Sequence, residues 1–358
     1  MNLTWNNSTG LYMYFSKLQL STRFQDVTNV YLLAPLAFIG TFLISLKLIV
    51  LMDSSLKGRM YQFLMITGVC DFVKLMFSTL IFLFRCGALC SFGYNYYFKL
   101  YEQICYLYIS NICLVYATLV SIVASLDRLF AFNPSKAKRS ADYFVLKCII
   151  LFAFSIIINF PDYILTRSVK EIGLLVTFSG ENRSFEILYS SGDNQNAKIV
   201  WIKTLTFVLT ILRKLTLLII LIAINALVAV KFQSHMKKKR TLTSSKVHSL
   251  SVSRVESTST TETNQTKTSG DKKIDKSERA VTKMIMIICI STFFGNIMDS
   301  FTPILFFLVD SVTYNYYILL SNCTIFIEHS FDIFLLYKFN DKFRSTFKKI
   351  FMTKIIPS

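Results

Sequence analysis

Seven stretches of the chain, at 30–52, 60–84, 103–130, 143–164, 199–230, 281–309 and 314–337, each carry a run of mostly apolar residues about 20 or more long, enough to span the hydrocarbon core of a bilayer. Inside that core every backbone N–H and C=O must be paired, so such runs fold as helices. The predicted fold class is an all-α membrane protein, a seven-transmembrane helix bundle followed by a C-terminal amphipathic membrane-surface helix. That last helix is read at 339–351, where Phe339, Phe343, Phe347 and Phe351 recur every four residues with Lys and Arg between them. Composition agrees: of 358 residues 53% are hydrophobic and only 17% charged, which excludes a soluble domain. The net charge of +18 then marks cytoplasmic loops. A nucleic-acid partner is excluded because no zinc-finger spacing, RNP-like strand or Gly-rich phosphate loop accompanies it. Eight scattered Cys with no CxxC, and three His too far apart for a helical HExxH pair, exclude a metal motif.

Direction follows from the loops. Lys57 and Arg59, then Lys136, Lys138 and Arg139, then Lys237 to Arg240, and finally Lys342, Arg344, Lys348 and Lys349 share one side if the helices alternate. The positive-inside rule makes that side cytoplasmic, which places the N-terminus outside the plasma membrane and the C-terminus inside. The sequons at Asn2, Asn7 and Asn182 fall outside and are the expected glycosylation sites, whereas Asn264 falls inside. No cleaved signal peptide is expected, so the first span is expected to act as the signal. Residues 1–29 are read as an extracellular segment, 30–338 as the seven-helix domain and 339–358 as the amphipathic helix and tail. Within the domain, 231–280 is expected to be a disordered third cytoplasmic loop, because 241–270 is Ser/Thr-rich and nearly without large apolar groups. Its hydroxyls beside basic residues suit phosphorylation, with a plain linker as the competing reading.

Ser125-Leu126-Asp127-Arg128-Leu129 stands at the inner end of the third span. An ion pair there is cheap to break when a partner binds, since water is near; a snorkelling Arg with a chance Asp neighbour is the bland alternative. Asp71 lies midway along the second span, Glu278 to Met284 leads into the sixth, and Asp332 precedes Phe339-Asn340-Asp341-Lys342-Phe343-Arg344. In this order and spacing the motifs resemble those of the rhodopsin-like (class A) G-protein-coupled receptors, in a divergent, invertebrate-type branch. The resemblance implies a receptor and not an enzyme. It implies an extracellular ligand, a heterotrimeric G protein contacted through Asp127, Arg128 and Glu278, and an arrestin-like regulator and kinases at the third cytoplasmic loop. It also implies a sodium pocket at Asp71.

Departures from the family pattern are as specific. Asp332-Ile333-Phe334-Leu335-Leu336 replaces Asn-Pro-x-x-Tyr, with Tyr337 one place late; the sixth span has Asn296 and Met298 where the family has Cys-Trp-x-Pro; the 165–198 loop holds no Cys. Ser110, eighteen residues before Arg128, replaces the amine receptors' Asp, and Phe326, six before Asp332, replaces the opsins' retinal-binding Lys. Neither an aminergic nor a photoreceptor role is expected, and the 34-residue loop favours a peptide ligand. With no loop Cys to pair with, Cys105 is expected to form a disulfide with Cys86 or Cys90. Asp71 and Lys74 share one face of the second helix, and Glu328 and Asp332 one face of the seventh, with His329 beside them. Three carboxylates against one ammonium require Na⁺, a charged His329 or a protonated carboxyl. A merely structural Lys74–carboxylate bridge competes with that ion or proton switch. A transporter or channel with an ionisable intramembrane cluster is the alternative function.

Overall fold

The computed structural model describes residues 27–56, 58–84, 95–131, 143–179, 182–252, 287, 290–302, 304–305 and 308–351. Four long helices come first: α1 (Asn29–Leu51), α2 (Arg59–Phe84), α3 (Tyr96–Phe130) and α4 (Phe144–Leu165). An antiparallel hairpin of β1 (Arg167–Ser179) and β2 (Asn182–Asp193) follows, pairing Arg167 with Asp193 at its base. Then α5 runs without a break through Val200–Ile211, a π-helical turn at Leu212–Thr216 and Leu217–Val252. Residues 290–302 form α6, and α7 (Ser311–Phe339) and α8 (Asp341–Phe351) complete the order.

Six of these helices, α1 to α5 and α7, are long and apolar enough to cross a membrane, and α6 lies within the remaining predicted span. The protein is a multi-pass membrane protein with a seven-helix bundle. Val145, Ile149, Ile150 and Ile157 of α4 are large apolar side chains left exposed, a face that suits lipid and not water. Facing inward, Val50, Leu64, Leu119, Leu221, Ile333 and Leu336 join α1, α2, α3, α5 and α7 in one cluster. A second cluster, nearer the hairpin, holds Leu33, Ile44, Leu75, Phe82, Phe98 and Phe326. Gly40 allows α1 to approach α2 and α7 closely, since a Cβ there would lie 2.9 Å from Leu75 and 3.2 Å from Ser330.

The structure corrects four expectations. The 165–198 segment, read as a loop, is mostly the hairpin of β1 and β2, set beside an otherwise helical bundle. The third helix starts at Tyr96 and not near 103, its first turn capped by Asn95, whose side chain accepts from the Tyr97 N–H at 2.9 Å. The segment 231–252, expected to be disordered, continues α5 as helix to Val252. No Gly or Pro interrupts 217–252, and a helix already formed extends at one hydrogen bond per residue; 253–280 lies outside the described residues. Finally, the Phe stripe of α8 does more than face the membrane surface. Phe343 is wholly buried in the bundle cluster and Phe347 packs against Tyr337, their ring centroids 5.3 Å apart.

Candidate functional site

Two layers of buried charge cross the bundle, and one ion pair closes its end opposite the hairpin. The deeper layer is built by α1, α2 and α7. Asp71, Lys74, Glu328, His329 and Asp332 are all buried there, so the structure brings together all five residues singled out from sequence. The pairing is different from the one expected. Lys47 of α1, 1% exposed, donates to Asp332 Oδ2 at 2.7 Å, whereas Lys74 Nζ has no hydrogen-bond partner among the described residues. The ion pair of the cluster is thus Lys47–Asp332 and not a Lys74–carboxylate bridge. A Cβ at Gly68 would lie at an ordinary 3.6 Å from Lys47 Cε but 3.0 Å from Leu48 Cδ2, so the bare glycine seats Leu48 of α1 against α2. Three carboxylates now stand against two ammonium groups, not one. His329 Nδ1 lies 3.1 Å from Glu328 Oε2 and 3.5 Å from Asp71 Oδ1, and Thr292 of α6 donates to Glu328 Oε1 at 3.1 Å.

The second layer, nearer the hairpin, joins α4, α5 and α6. Arg213 pairs with Asp162, donates to Thr210 Oγ1 at 3.0 Å and lies over the Tyr163 ring at 5.0 Å. Lys214 donates to Asp299 at 2.8 Å, and Ser300 donates to the Lys214 carbonyl at 3.0 Å. Both cations sit on the π-helical turn of α5. The extra residue of such a turn rotates neighbouring side chains out of α-helical register, which lets the adjacent Arg213 and Lys214 reach α4 and α6 in turn. A small cavity of about 20 Å³ opens here, room for a single water. Asn111 and Thr118 of α3, Arg213 and Lys214 of α5, and Asn296 and Asp299 of α6 line it.

These four charges were not singled out from sequence, nor was Lys47. The signal was present: an ionisable residue inside a membrane-spanning run is costly and marks a site. Lys47, Arg213 and Lys214 each stand within such runs.

At the far end, Asp127 lies 3.5 Å from Arg59 at the start of α2. The Asp127 carboxylate thus reaches across to another helix, while Arg128 occupies the last turn of α3. Tyr61 donates to Asn340 at 3.1 Å, tying α2 to the α7–α8 junction beside it. Cys105, nine residues into α3, carries a free thiol among the described residues. Cys86, Cys90, Glu278, Asn2 and Asn7 lie outside the described residues, and Asn182 opens β2.

No family profile matches the chain, and no curated protein matches it. Among solved structures it is similar to the crystal structure of squid rhodopsin, with a TM-score of 0.61 at 12% identity over 92% of this chain and 86% of that one. At that identity the likeness concerns the fold, which covers nearly the whole chain: the protein has the seven-helix fold of a rhodopsin-like G-protein-coupled receptor.

Proposed function

We propose that the protein is a plasma-membrane receptor that binds an extracellular ligand and activates a heterotrimeric G protein, with no catalytic step of its own. The observation that carries this reading is the Arg59–Asp127 pair at the bundle end opposite the hairpin. It holds the Asp127 carboxylate to α2 beside Arg128, where a partner inserting between the helix ends would find a lightly held ion pair to break. The ligand is read as a peptide. The hairpin between α4 and α5 offers it a rim, and the polar layer of Asn111, Arg213, Lys214, Asn296 and Asp299 offers an anchor beneath. The N-terminus is read as extracellular and glycosylated at Asn2 and Asn7, with Asn182 as a third site. The basic, Ser/Thr-rich segment 237–270, which begins within α5, is read as the target of kinases and of an arrestin-like regulator, with Glu278 beyond it joining Asp127 and Arg128 at the G-protein face.

The test is guanine-nucleotide exchange on purified G protein, using membranes that contain the receptor and a peptide library as the ligand source. Arg128→Ala is expected to reach the surface in wild-type amount and to give no exchange. Wild-type exchange from that variant would overturn the coupling assignment.

A further inference from the structure

We propose that the buried cluster of α1, α2 and α7 holds one exchangeable proton on Glu328, directed at His329, and that this proton regulates the contact between α6 and α7. The inference adds a regulator to the receptor reading above and rests on that reading only for the signal being regulated.

Charge balance carries the first step. Asp71, Glu328 and Asp332 supply three carboxylates, and Lys47 and Lys74 supply two fixed ammonium groups. In a low-dielectric interior an unbalanced charge is neutralised by a proton or a bound cation. Lys47 Nζ, 2.7 Å from Asp332 Oδ2, already supplies the cation on the α7 side of the cluster. One unit of charge remains, and one proton closes it.

Geometry places the proton. Asp332 is held as a carboxylate by its ion pair with Lys47 at Oδ2, and its Oδ1, like Glu328 Oε2, has no hydrogen-bond partner among the described residues but, unlike it, has no imidazole beside it within 3.5 Å. Glu328 Oε1 accepts from Thr292, whereas Oε2 has no hydrogen-bond donor among the described residues and lies 3.1 Å from His329 Nδ1. A hydroxyl on Oε2 would find an acceptor in Nδ1. The alternative, an imidazolium, would bury a charged N–H at Nε2, which has no partner among the described residues, and that costs more than leaving the neutral ring. The groups facing Glu328 and His329 are Lys47 from α1, Asp71 and Lys74 from α2 and Asp332 from α7. The thiols of Cys70 on α2 and Cys113 on α3 border Asp71, and the Lys214–Asp299 pair of α5 and α6 acts on the cluster through Lys74.

Transmission follows from where Glu328 sits. A Cβ at Gly295 would lie 2.6 Å from Glu328 Cβ, so the backbone of α6 rests directly on this side chain. With the proton bound, Glu328 is neutral and Lys74 has no hydrogen-bond partner. When the O–H bond breaks and the proton leaves to solvent, the pair of electrons stays on Oε2 and the carboxylate attracts Lys74 Nζ. The Thr292 hydroxyl then donates to a charged acceptor and binds it more strongly. Two discrete arrangements of one residue at the α6–α7 contact are the bistable element that regulation needs.

Infrared spectroscopy of the full-length protein in detergent tests the proton directly. At neutral pH the wild type is expected to show the C=O stretch of a protonated carboxyl, and Glu328→Gln is expected to remove it. Lys47→Met leaves three carboxylates against one ammonium, so it is expected to double that band. Replacing potassium by sodium is expected to leave the thermal midpoint unchanged, and nucleotide exchange is expected to vary with pH as a single-proton step that Glu328→Gln flattens. Absence of a Glu328-dependent carboxyl band, a rise in midpoint with sodium alone, or exchange indifferent to pH would each overturn the proposal. A chain that gives no exchange under any condition would instead overturn the receptor reading, and the band would still report the proton.

Discussion

Lys47 shows how much one residue alters a buried site. In the sequence it is a single cation inside an apolar run; in the structure it is the partner of Asp332, 285 residues away. Three-dimensional pairing of this kind is invisible to helix-face arithmetic, which correctly grouped Asp71 with Lys74 and Glu328 with Asp332 but could not say which helices would face them. Gly295 is a second case, because its place against Glu328 becomes visible only when α6 and α7 pack. Gly295→Ala is expected to destabilise the protein by about 1–3 kcal/mol, the usual cost of overpacking a fitted core. Gly68→Ala is expected to cost less, since its Cβ would meet the flexible end of Leu48 at 3.0 Å. Thermal unfolding in detergent checks the order, which a larger loss at Gly68 would reverse. A third residue acts outside the membrane. Asp310 caps α7, and hydrogen bonds from the Thr313 side chain and backbone hold its carboxyl below the ordinary value. Its contribution is present above the unfolded value near ~3.9 and lost as pH falls through the lower folded value. The difference in midpoint between wild type and Asp310→Ala is therefore expected to be level from about pH 5 upward and to shrink below about pH 4.

At the scale of elements, apolar periodicity located the helices but not their ends. The third helix begins at Tyr96 because Asn95 caps a Tyr-rich turn too polar for a hydropathy window, and α5 outruns its apolar stretch because backbone hydrogen bonding does not stop where hydrophobicity does. The hairpin was missed for a related reason: its pairing is set by backbone register between Arg167 and Asp193, not by a long apolar pattern. The π-helical turn of α5 was likewise unreadable, yet it places Arg213 and Lys214 on two different neighbours. Lys214 and Asp299, 15% and 21% exposed in their side chains, form a partly buried pair joining α5 to α6. Breaking it from one side leaves a charge without its partner, so Lys214→Met and Asp299→Leu are each expected to cost about 3 kcal/mol. The double variant is expected to recover most of that loss, because no uncompensated charge is left. Additive losses in the thermal midpoints of the four proteins would show that the two charges act independently.

Among the described residues, the cores near the hairpin and near α8 are mainly apolar, and the charge lies between them, at the Lys99–Glu102 pair near the start of α3 and at the end where α2, α3, α7 and α8 meet. A bundle arranged this way is stiff in its apolar layers and electrostatically adjustable elsewhere. The end layer gives a prediction that separates signalling from stability. Arg59 and Asp127 are 41% and 20% exposed in their side chains and 3.5 Å apart, and a pair so hydrated contributes no more than about 1 kcal/mol. Arg59→Ala is therefore expected to leave the unfolding midpoint nearly unchanged. If Asp127 is nevertheless the group that holds the coupling face closed, its release from α2 is expected to raise ligand-free nucleotide exchange severalfold, and Arg59→Lys, which keeps the charge, is expected to restore the basal level. Adding Arg128→Ala to Arg59→Ala is expected to silence the gain, because the freed face would lack the guanidinium proposed to engage the G protein. Basal exchange unchanged in Arg59→Ala would show that the α2–α3 pair only fixes helix packing, and a gain surviving Arg128→Ala would move the coupling contact away from the end of α3.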